Sequence, residues 1–309
     1  MLKALKRRAL QRLFEREFSW RLGEFTGDQL LPLDYPVDPT PRYPLGQSAH
    51  PQLLQWFDSQ RGASEDMLRS IAGFRSQLEA IPRTAGEPTQ PHWDNGWFSA
   101  LDAMTLYSLV ARRAPARIIE VGSGNSTRFA VRAIRDHGLS THMTSIDPHP
   151  RAEIDSLCDQ VVREPLERTD VTRIRELKAG DFLFIDSSHR VFTNSDVTTL
   201  FLDVLPHLAP GVIVHLHDIF LPWDYPEEWR GRYYSEQYLL ASWLLAGPAR
   251  WRLVMSSAFA SQDLPLRTAL AAAFAGSPLS SMLDAGAPPS SAASLLGASF
   301  WAEVAQGAA

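Results

Sequence analysis

A glycine turn that follows an apolar stretch is the first feature of this sequence that could do chemistry. Residues 117–127 read Arg-Ile-Ile-Glu-Val-Gly-Ser-Gly-Asn-Ser-Thr, which predicts a strand, a turn and the start of a helix. Because Gly122 and Gly124 carry no Cβ atom, a ligand can approach the backbone closely there. The unpaired N–H groups at the start of a helix can hold a charged or polar cofactor. The turn, with Ser123 at its centre, therefore predicts a cofactor site.

Two classes of cofactor bind at turns of this kind, dinucleotides and S-adenosylmethionine (SAM). The dinucleotide fingerprint G-x-G-x-x-G needs a third glycine, and counting from Gly122 that position is Thr127. Glu120 precedes the turn, where its carboxylate would attract a positively charged methionyl amine. Asp147 ends a second predicted strand roughly 20–25 residues later, where nucleotide-binding α/β folds place a carboxylate on the ribose hydroxyls. A turn or helix cap before Pro148 is the alternative role for Asp147.

Two further apolar stretches run directly into acidic residues and histidines. The first leads to Asp186 and His189, and the second leads to His217 and Asp218. Ligands of open α/β sheets bind at the carboxyl ends of the strands, so we expect these four residues to gather beside the glycine turn. Such a set of side chains suits a hard or borderline divalent cation. A capping role for Asp218 and a buried, hydrogen-bonded imidazole at His217, on the same strand face as His215, are the alternatives.

The segment after Asp218 is too aromatic for a plain exposed linker. It predicts a lid over an apolar or glycosylated acceptor, with Trp223, Tyr225 and Tyr233 as substrate contacts. A packed structural loop is the alternative. Residues 92–97 are expected to close the pocket from the N-terminal side.

The elements that must position these residues follow from the hydrophobic pattern. From residue 117 onward, strand-like stretches alternate with helical ones, which indicates right-handed crossovers and a parallel sheet. Strands are predicted near 117–121, 142–146, 160–163, 181–185, 211–216, 250–258 and 297–304. Helices are predicted within 51–80 and near 99–112, 126–137, 150–157, 170–177, 195–207 and 266–274.

Composition restricts the class of protein. The 309 residues are 45% hydrophobic and 21% charged, as in soluble globular proteins. The net charge of −5 argues against a nucleic-acid partner. Cys158 is alone, so it can form no disulfide within the chain, which predicts a reducing, cytoplasmic compartment. No apolar run approaches the length of about 20 residues that a membrane span needs, so we expect no integral membrane segment.

The N-terminal part differs from the rest of the chain. Residues 1–18 are basic and amphipathic, and residues 27–50 are rich in proline. The first segment predicts a helix that packs on the domain or on a second copy in a homo-oligomer, with a membrane-surface helix as the alternative. We expect a helical, proline-rich extension and cap over 1–94 and the main domain over 95–309.

The segment Glu120-Val121-Gly122-Ser123-Gly124 resembles motif I of class I SAM-dependent methyltransferases. The resemblance implies an α/β, Rossmann-like sandwich with a mostly parallel seven-stranded sheet whose last strand is antiparallel. In that family the methionine part lies at the glycine turn, the ribose at the second strand and the adenine after the third strand. The cofactor contacts it implies are Glu120, Gly122, Ser123, Gly124, Asp147, Glu164 and Asp186.

The second group of residues is similar to that of catechol O-methyltransferase-like enzymes and their macrocin-type relatives. There the fourth strand ends in a metal-binding Asp and the fifth in a second acidic ligand, and sugar-methylating members carry a His three residues after the first Asp. The resemblance implies metal ligation by Asp186 and Asp218 and a general-base role for His189. His217 stands where relatives usually have a carboxylate, which favours Mn²⁺, Fe²⁺ or Zn²⁺ over Mg²⁺.

The resemblance thus implies a SAM-dependent O-methyltransferase acting on a hydroxyl of a small molecule or glycan, with Mg²⁺ or Mn²⁺ bound by Asp186, His217 and Asp218. A metal-free mechanism with His189 as base is one alternative. An NAD(P)-dependent oxidoreductase that uses the same glycine turn is another. A non-catalytic SAM-binding or scaffold protein is the third.

Overall fold

The computed structural model describes residues 6, 35, 37–150, 152–283 and 289–306. The chain divides into two units, residues 1–40 and 41–309, and every element below belongs to the second. Apart from Lys6, the basic segment over 1–18 lies outside the described residues, and so does most of 27–36. The proposed division between residues 94 and 95 stays a prediction.

Helices and strands alternate along most of the described chain. The helices are α1 (Pro51–Ser59), α2 (Arg61–Gly73), α3 (Arg75–Glu79), α4 (Ala100–Arg113), α5 (Asn125–Asp136), α6 (Thr172–Arg175), α7 (Asp196–Thr199), α8 (Glu236–Ala246), α9 (Ser257–Gln262) and α10 (Leu264–Ala273). The strands are β1 (Arg117–Val121), β2 (His142–Ile146), β3 (Gln160–Val162), β4 (Phe182–Ile185), β5 (Ile213–Leu216), β6 (Trp251–Ser256) and β7 (Phe300–Val304). No helix among these residues is both long and apolar enough to cross a membrane.

The strands of the described residues form one seven-stranded sheet in the order β3-β2-β1-β4-β5-β7-β6. Strands β1 to β5 pair in parallel, and β7 runs antiparallel to both β5 and β6. The predicted fold class is confirmed. After β3 the chain crosses to the other side of β1, so the carboxyl ends of β1 and β4 border a crevice where ligands of such sheets bind.

The core lies on both faces of the sheet. Every residue of β4 and β5 is buried, which is typical of strands that are covered on both sides. Helix α4 is buried over residues 100–110, so its polar side chains are buried with the apolar ones. Among them is Asp102, which becomes important below.

Three predicted elements differ from the observed ones. The helix predicted near 150–157 is reduced, among its described residues, to the turn Asp155–Leu157. The helix predicted over 195–207 begins as α7, widens into a π-turn and ends in a tighter turn at Pro206. The last strand starts at residue 300 rather than 297, because the N–H groups of residues 298 and 299 donate to a side chain instead of a neighbouring strand.

Candidate active site

The glycine turn brings the carboxyl ends of β1 and β4 into contact. Gly122 has a φ of +80°, and a Cβ atom there would lie 1.8 Å from the carbonyl oxygen of Asp186. Only glycine fits both this backbone and this approach. Gly124 has an extended φ of 174°, and a Cβ atom there would meet no described neighbour within 4 Å. Gly122 is therefore needed for strand packing, whereas Gly124 leaves open space at the start of α5.

Asp147 is held at the edge of the turn by two backbone N–H groups. Its Oδ2 accepts the N–H of Ser123 at 2.7 Å, and its Oδ1 accepts the N–H of His149 at 2.8 Å. Each carboxylate oxygen has a second lone pair, so both oxygens can still accept a hydrogen bond from a ligand hydroxyl. The structure thus brings together two of the predicted cofactor residues, Ser123 and Asp147.

Glu120 lies behind the turn. It is 1% exposed, and its two oxygens accept the hydroxyl protons of Ser126 and Thr127, each at 2.5 Å. Burial raises the pKa of Glu120 to about 8, although the two hydroxyls oppose the shift. The carboxyl group connects the start of α5 to β1 and does not line the cavity of about 620 Å³ that opens at the turn. The expected direct contact between Glu120 and a cofactor amine stays a prediction.

A cavity of about 620 Å³, the cofactor cavity, opens at the turn, within the range of roughly 300–1,000 Å³ that is usual for small-molecule sites. Glu164 does not line it: that side chain is exposed and borders a different depression beside β2 and β3, whereas Leu166 and Glu167 do line the cofactor cavity. The adenine contact at Glu164 stays a prediction. The lining includes Asn95, Trp97, Phe98, Gly122, Ser123, Gly124, Asp147, Leu166, Glu167 and Asp186.

Asp186, His189, His217 and Asp218 do gather next to this cavity, and we call them the carboxylate–histidine cluster. His189 and Asp218 have positive φ angles of 59° and 54°, which are unusual for side chains with a Cβ atom and frequent at functional sites. The strained conformation of His189 is held by its own carbonyl oxygen, which accepts the N–H groups of Ser235 at 2.8 Å and Glu236 at 3.1 Å.

The ring of His189 lies between three carboxyl groups. Its Nδ1 is 2.9 Å from Oε2 of Glu236, and its Nε2 is 3.2 Å from Asp186 and 3.5 Å from Asp218. Burial lowers the pKa of His189, but the bonds to Asp186 and Glu236 outweigh it and leave the pKa raised well above its usual value. In the protein alone, the protonated form of the His189 imidazole is therefore favoured.

His217 faces the two aspartates of the cluster with one nitrogen. Its Nδ1 is 3.2 Å from Asp218 and 3.5 Å from Asp186. One ligand atom from each of these three residues lies within 4.8 Å of the other two, so the predicted metal-binding residues are brought together. Two carboxylate oxygens and an imidazole nitrogen are a donor set that Mn²⁺, Fe²⁺ and Zn²⁺ accept, and Mg²⁺ less readily.

Asp102 is a site residue that the sequence analysis missed. It is fully buried on α4, lies 3.5 Å from Nε2 of His217 and accepts the N–H groups of Ala298 and Ser299, both at 2.9 Å. A Cβ atom at Gly297 would lie 2.3 Å from its Oδ1, so a residue larger than glycine at this position would clash with the carboxylate. A carboxylate that faces the far nitrogen of a metal-ligating His orients the ring, as Asp102 would. The only signal in the sequence is one acidic residue within an apolar helix.

Glu236, at the start of α8, was not assigned a role either. It is fully buried, and apart from His189 Nδ1 its carboxylate has no described hydrogen-bond partner, since Oε1 is unpaired among the described residues. His215, by contrast, is structural. It stacks on Phe184 at 3.7 Å, its Nε2 lies 2.8 Å from the hydroxyl of Ser299, and burial lowers its pKa.

A second cavity of about 590 Å³, the acceptor cavity, lies over the cluster. The substrate contacts predicted at Trp223, Tyr225 and Tyr233 do not line it: the first two are buried in the packing of their loop, and Tyr233 is 49% exposed outside it. Trp223 and Tyr225 pack within the loop, and their predicted contact with a substrate stays a prediction. The lining includes Arg83, Trp97, Phe98, Asp186, His189, His217, Asp218, Phe220, Trp229, Arg232, Tyr234 and Met282.

Comparison with known proteins finds one family model that matches the central part of the chain. Residues 119–219 match the family model described as a methyltransferase domain. Over this segment the chain is similar to methyltransferase domains. The matched segment begins in β1 and ends just after Asp218, so it contains the glycine turn and the whole carboxylate–histidine cluster. The resemblance to class I SAM-dependent methyltransferases is confirmed.

More distant comparisons add little to the methyltransferase assignment. The crystal structure of the SAH-bound methyltransferase PaMTH1 from Podospora anserina aligns with 73% of this chain and 93% of its own, at 14% identity and a TM-score of 0.34. That likeness is too weak to carry an argument about this domain. No curated protein sequence matches the chain.

Proposed function

We propose that the domain transfers the methyl group of SAM to a hydroxyl oxygen of a small molecule or glycan, with the help of a divalent cation. The observation that carries this proposal is that Asp186, Trp97 and Phe98 line both the cofactor cavity and the acceptor cavity. A donor in the first and a hydroxyl in the second would meet at Asp186. Direct transfer between two bound molecules requires such a meeting point.

The cofactor half would be bound by few side chains. Asp147 accepts the ribose hydroxyls with the lone pairs that its two backbone bonds leave free. The open space at Gly124 lets the methionine part approach the start of α5. A dinucleotide is disfavoured because Thr127, at the third fingerprint position, is bonded to Glu120 and to the N–H of Gly124.

In the acceptor half, His189 would take the proton from the acceptor hydroxyl through Nε2, while the hydroxyl oxygen attacks the sulfonium methyl group. Glu236 is a positioning residue: its bond to Nδ1 directs Nε2 towards Asp186 and the cavity. A cation held by Asp186, His217 and Asp218 would lower the pKa of the hydroxyl and offset the charges of Asp186 and Asp218, two of the three carboxylates that favour protonated His189. Asp102 would orient His217 for this role.

Calorimetric titration with S-adenosylhomocysteine (SAH) tests the cofactor half of the proposal. We expect micromolar binding to the wild-type protein and a loss of at least about tenfold in Asp147→Ala, since each tenfold loss corresponds to about 1.4 kcal/mol of lost hydrogen bonding. The titration is repeated with Mn²⁺ and with Mg²⁺. Failure of SAH to bind, together with binding of NAD(H), would replace this function with the oxidoreductase alternative.

A second measurement separates an enzyme from a SAM-binding scaffold. His189→Ala should keep the SAH affinity of the wild type, because His189 does not line the cofactor cavity, and should lose methyl transfer by about 10²–10⁴-fold. Equal turnover in this variant would contradict the proposed base. We also propose that the protein acts in the cytoplasm.

A further inference from the structure

One cation in the acceptor cavity has no carboxylate partner among the described residues. Arg232 lines this cavity at its exposed edge, and its described contacts are with aromatic rings. Arg83, the other arginine of the lining, is different. It is bonded to the carboxylate of Asp94 and to the hydroxyl of Ser281, both at 3.1 Å. The charge of Arg83 is therefore balanced within the chain, and the charge of Arg232 is not.

The side chain of Arg232 has a defined position. Its guanidinium lies 3.9 Å from the ring centre of Trp229 and 5.6 Å from that of Tyr234. Arg190 supports the backbone at this point, because its Nε donates to the carbonyl oxygen of Arg232 at 3.0 Å. A guanidinium that stacks through its face keeps the N–H groups on its edge free for a bidentate bond to a carboxylate or phosphate.

The position of this charge relative to the cluster is also defined. The ring of Tyr234 lies 4.7 Å from the ring of His189, so a single aromatic ring separates the guanidinium of Arg232 from the proposed base. Trp229 and Tyr234 both line the cavity beside Arg232, and aromatic side chains of this kind can pack against a planar or sugar ring. A molecule whose hydroxyl reaches His189 would place a group one ring away beside Arg232.

We infer that the acceptor is a hydroxyl-bearing small molecule with an anionic group, a carboxylate or a phosphate, that Arg232 binds while Trp229 and Tyr234 contact the intervening ring. This inference rests on the proposed function, because it takes the methylated hydroxyl to lie at the carboxylate–histidine cluster. It adds the charge of the acceptor and names Arg232 as the residue that binds the charged group.

Matched pairs of probes test the inference by calorimetry in the presence of SAH and Mn²⁺. The pairs are 3,4-dihydroxybenzoate with 3,4-dihydroxybenzamide, glucuronate with glucose, and glucose 6-phosphate with glucose. In the wild type the anionic member of at least one pair should bind about tenfold more tightly, as one charge-assisted pair allows. This preference should weaken as NaCl is raised. The first two pairs report on a carboxylate and the third on a phosphate.

Two arginine variants locate the preference. Arg232→Gln should bind the two members of the pair equally. Arg230→Gln is the matched control: Arg230 lies on the same short segment, pairs with Glu227 at 2.9 Å and does not line the cavity, so the preference should persist. Both variants should bind SAH as the wild type does, which shows that they are folded.

The inference is overturned if charged and neutral partners bind the wild type alike, if the preference survives in Arg232→Gln, or if no anionic probe binds to protein that binds SAH. Failure of the wild type to bind SAH is a different result. It removes the proposed function itself rather than the charge of the acceptor.

Discussion

The cofactor cavity and the acceptor cavity lie side by side, but different parts of the chain shape them. Around the cofactor cavity the backbone is decisive: Gly122 allows a close approach to Asp186, and the N–H of Ser123 fixes Asp147. The acceptor cavity depends on charged side chains from separate segments, which come from α4, from the ends of β4 and β5, and from α8. Substitutions in the first should therefore act through shape and folding, and substitutions in the second through charge and ligation.

The largest effect should come from Gly122→Ala. A Cβ atom 1.8 Å from a backbone oxygen, at a φ of +80°, forces β1 and β4 apart. We expect the free energy of unfolding to fall by at least about 4 kcal/mol, or the protein not to fold at all. Urea unfolding measures this effect.

Gly124→Ala is the matched control for that variant. Its Cβ atom meets no described neighbour within 4 Å, so stability should change by less than about 1 kcal/mol while SAH affinity drops. If both variants lost the same stability, backbone shape would not distinguish the two glycines, and this side of the comparison would fail.

The same contrast explains what the sequence could predict. The strands, the glycine turn and Asp147 follow from local patterns, because a short apolar stretch and two glycines carry the information within about 30 residues. Asp186, His217 and Asp218 were placed together because they end neighbouring parallel strands. That rule needs only the strand order.

The remaining site residues depend on contacts between segments far apart in the chain. Asp102 meets His217 only because α4 lies beside the backbone just before β7, and Glu236 meets His189 only because the start of α8 is bonded to the loop after β4. Neither meeting leaves a periodic pattern in the sequence. The aromatic segment after Asp218 is ambiguous for another reason: aromatic side chains serve both packing and binding, and the burial of Trp223 and Tyr225 depends on the folded structure.

The titration of Glu120 shows whether a buried charge affects the stability of the residues around the cofactor cavity. Its pKa is raised from 4.5 to about 8 by burial, so the folded protein binds this proton more tightly than the unfolded chain does. The corresponding stability is complete below pH 4.5 and is lost as the pH rises towards 8. Between pH 5 and pH 9 the wild type should lose about 2–4 kcal/mol more than Glu120→Gln, which has no proton to release.

Chemical unfolding of both proteins at several pH values measures the difference directly. The histidines of the cluster titrate in both proteins, so the comparison isolates Glu120. Parallel curves would show that Glu120 keeps its charge when buried, stabilised by the hydroxyls of Ser126 and Thr127. The cofactor half would then depend on charge as the acceptor half does.

The smallest effect, and the sharpest test of the acceptor half, is expected for Asp102→Asn. Without the negative charge 3.5 Å from Nε2, His217 loses the electrostatic contact that favours Nδ1 facing Asp186 and Asp218, so Mn²⁺ affinity should fall by about 10–100-fold. Electron paramagnetic resonance of free Mn²⁺ gives this affinity without any acceptor.

Asp66→Asn, which changes an exposed carboxylate paired with Arg69, is the control and should leave the Mn²⁺ affinity unchanged. SAH should bind both variants as it binds the wild type, because neither residue lines the cofactor cavity. Unchanged Mn²⁺ affinity in Asp102→Asn would mean that the ring of His217 is oriented by packing alone, and a parallel loss of SAH affinity would mean that the two cavities are not independent.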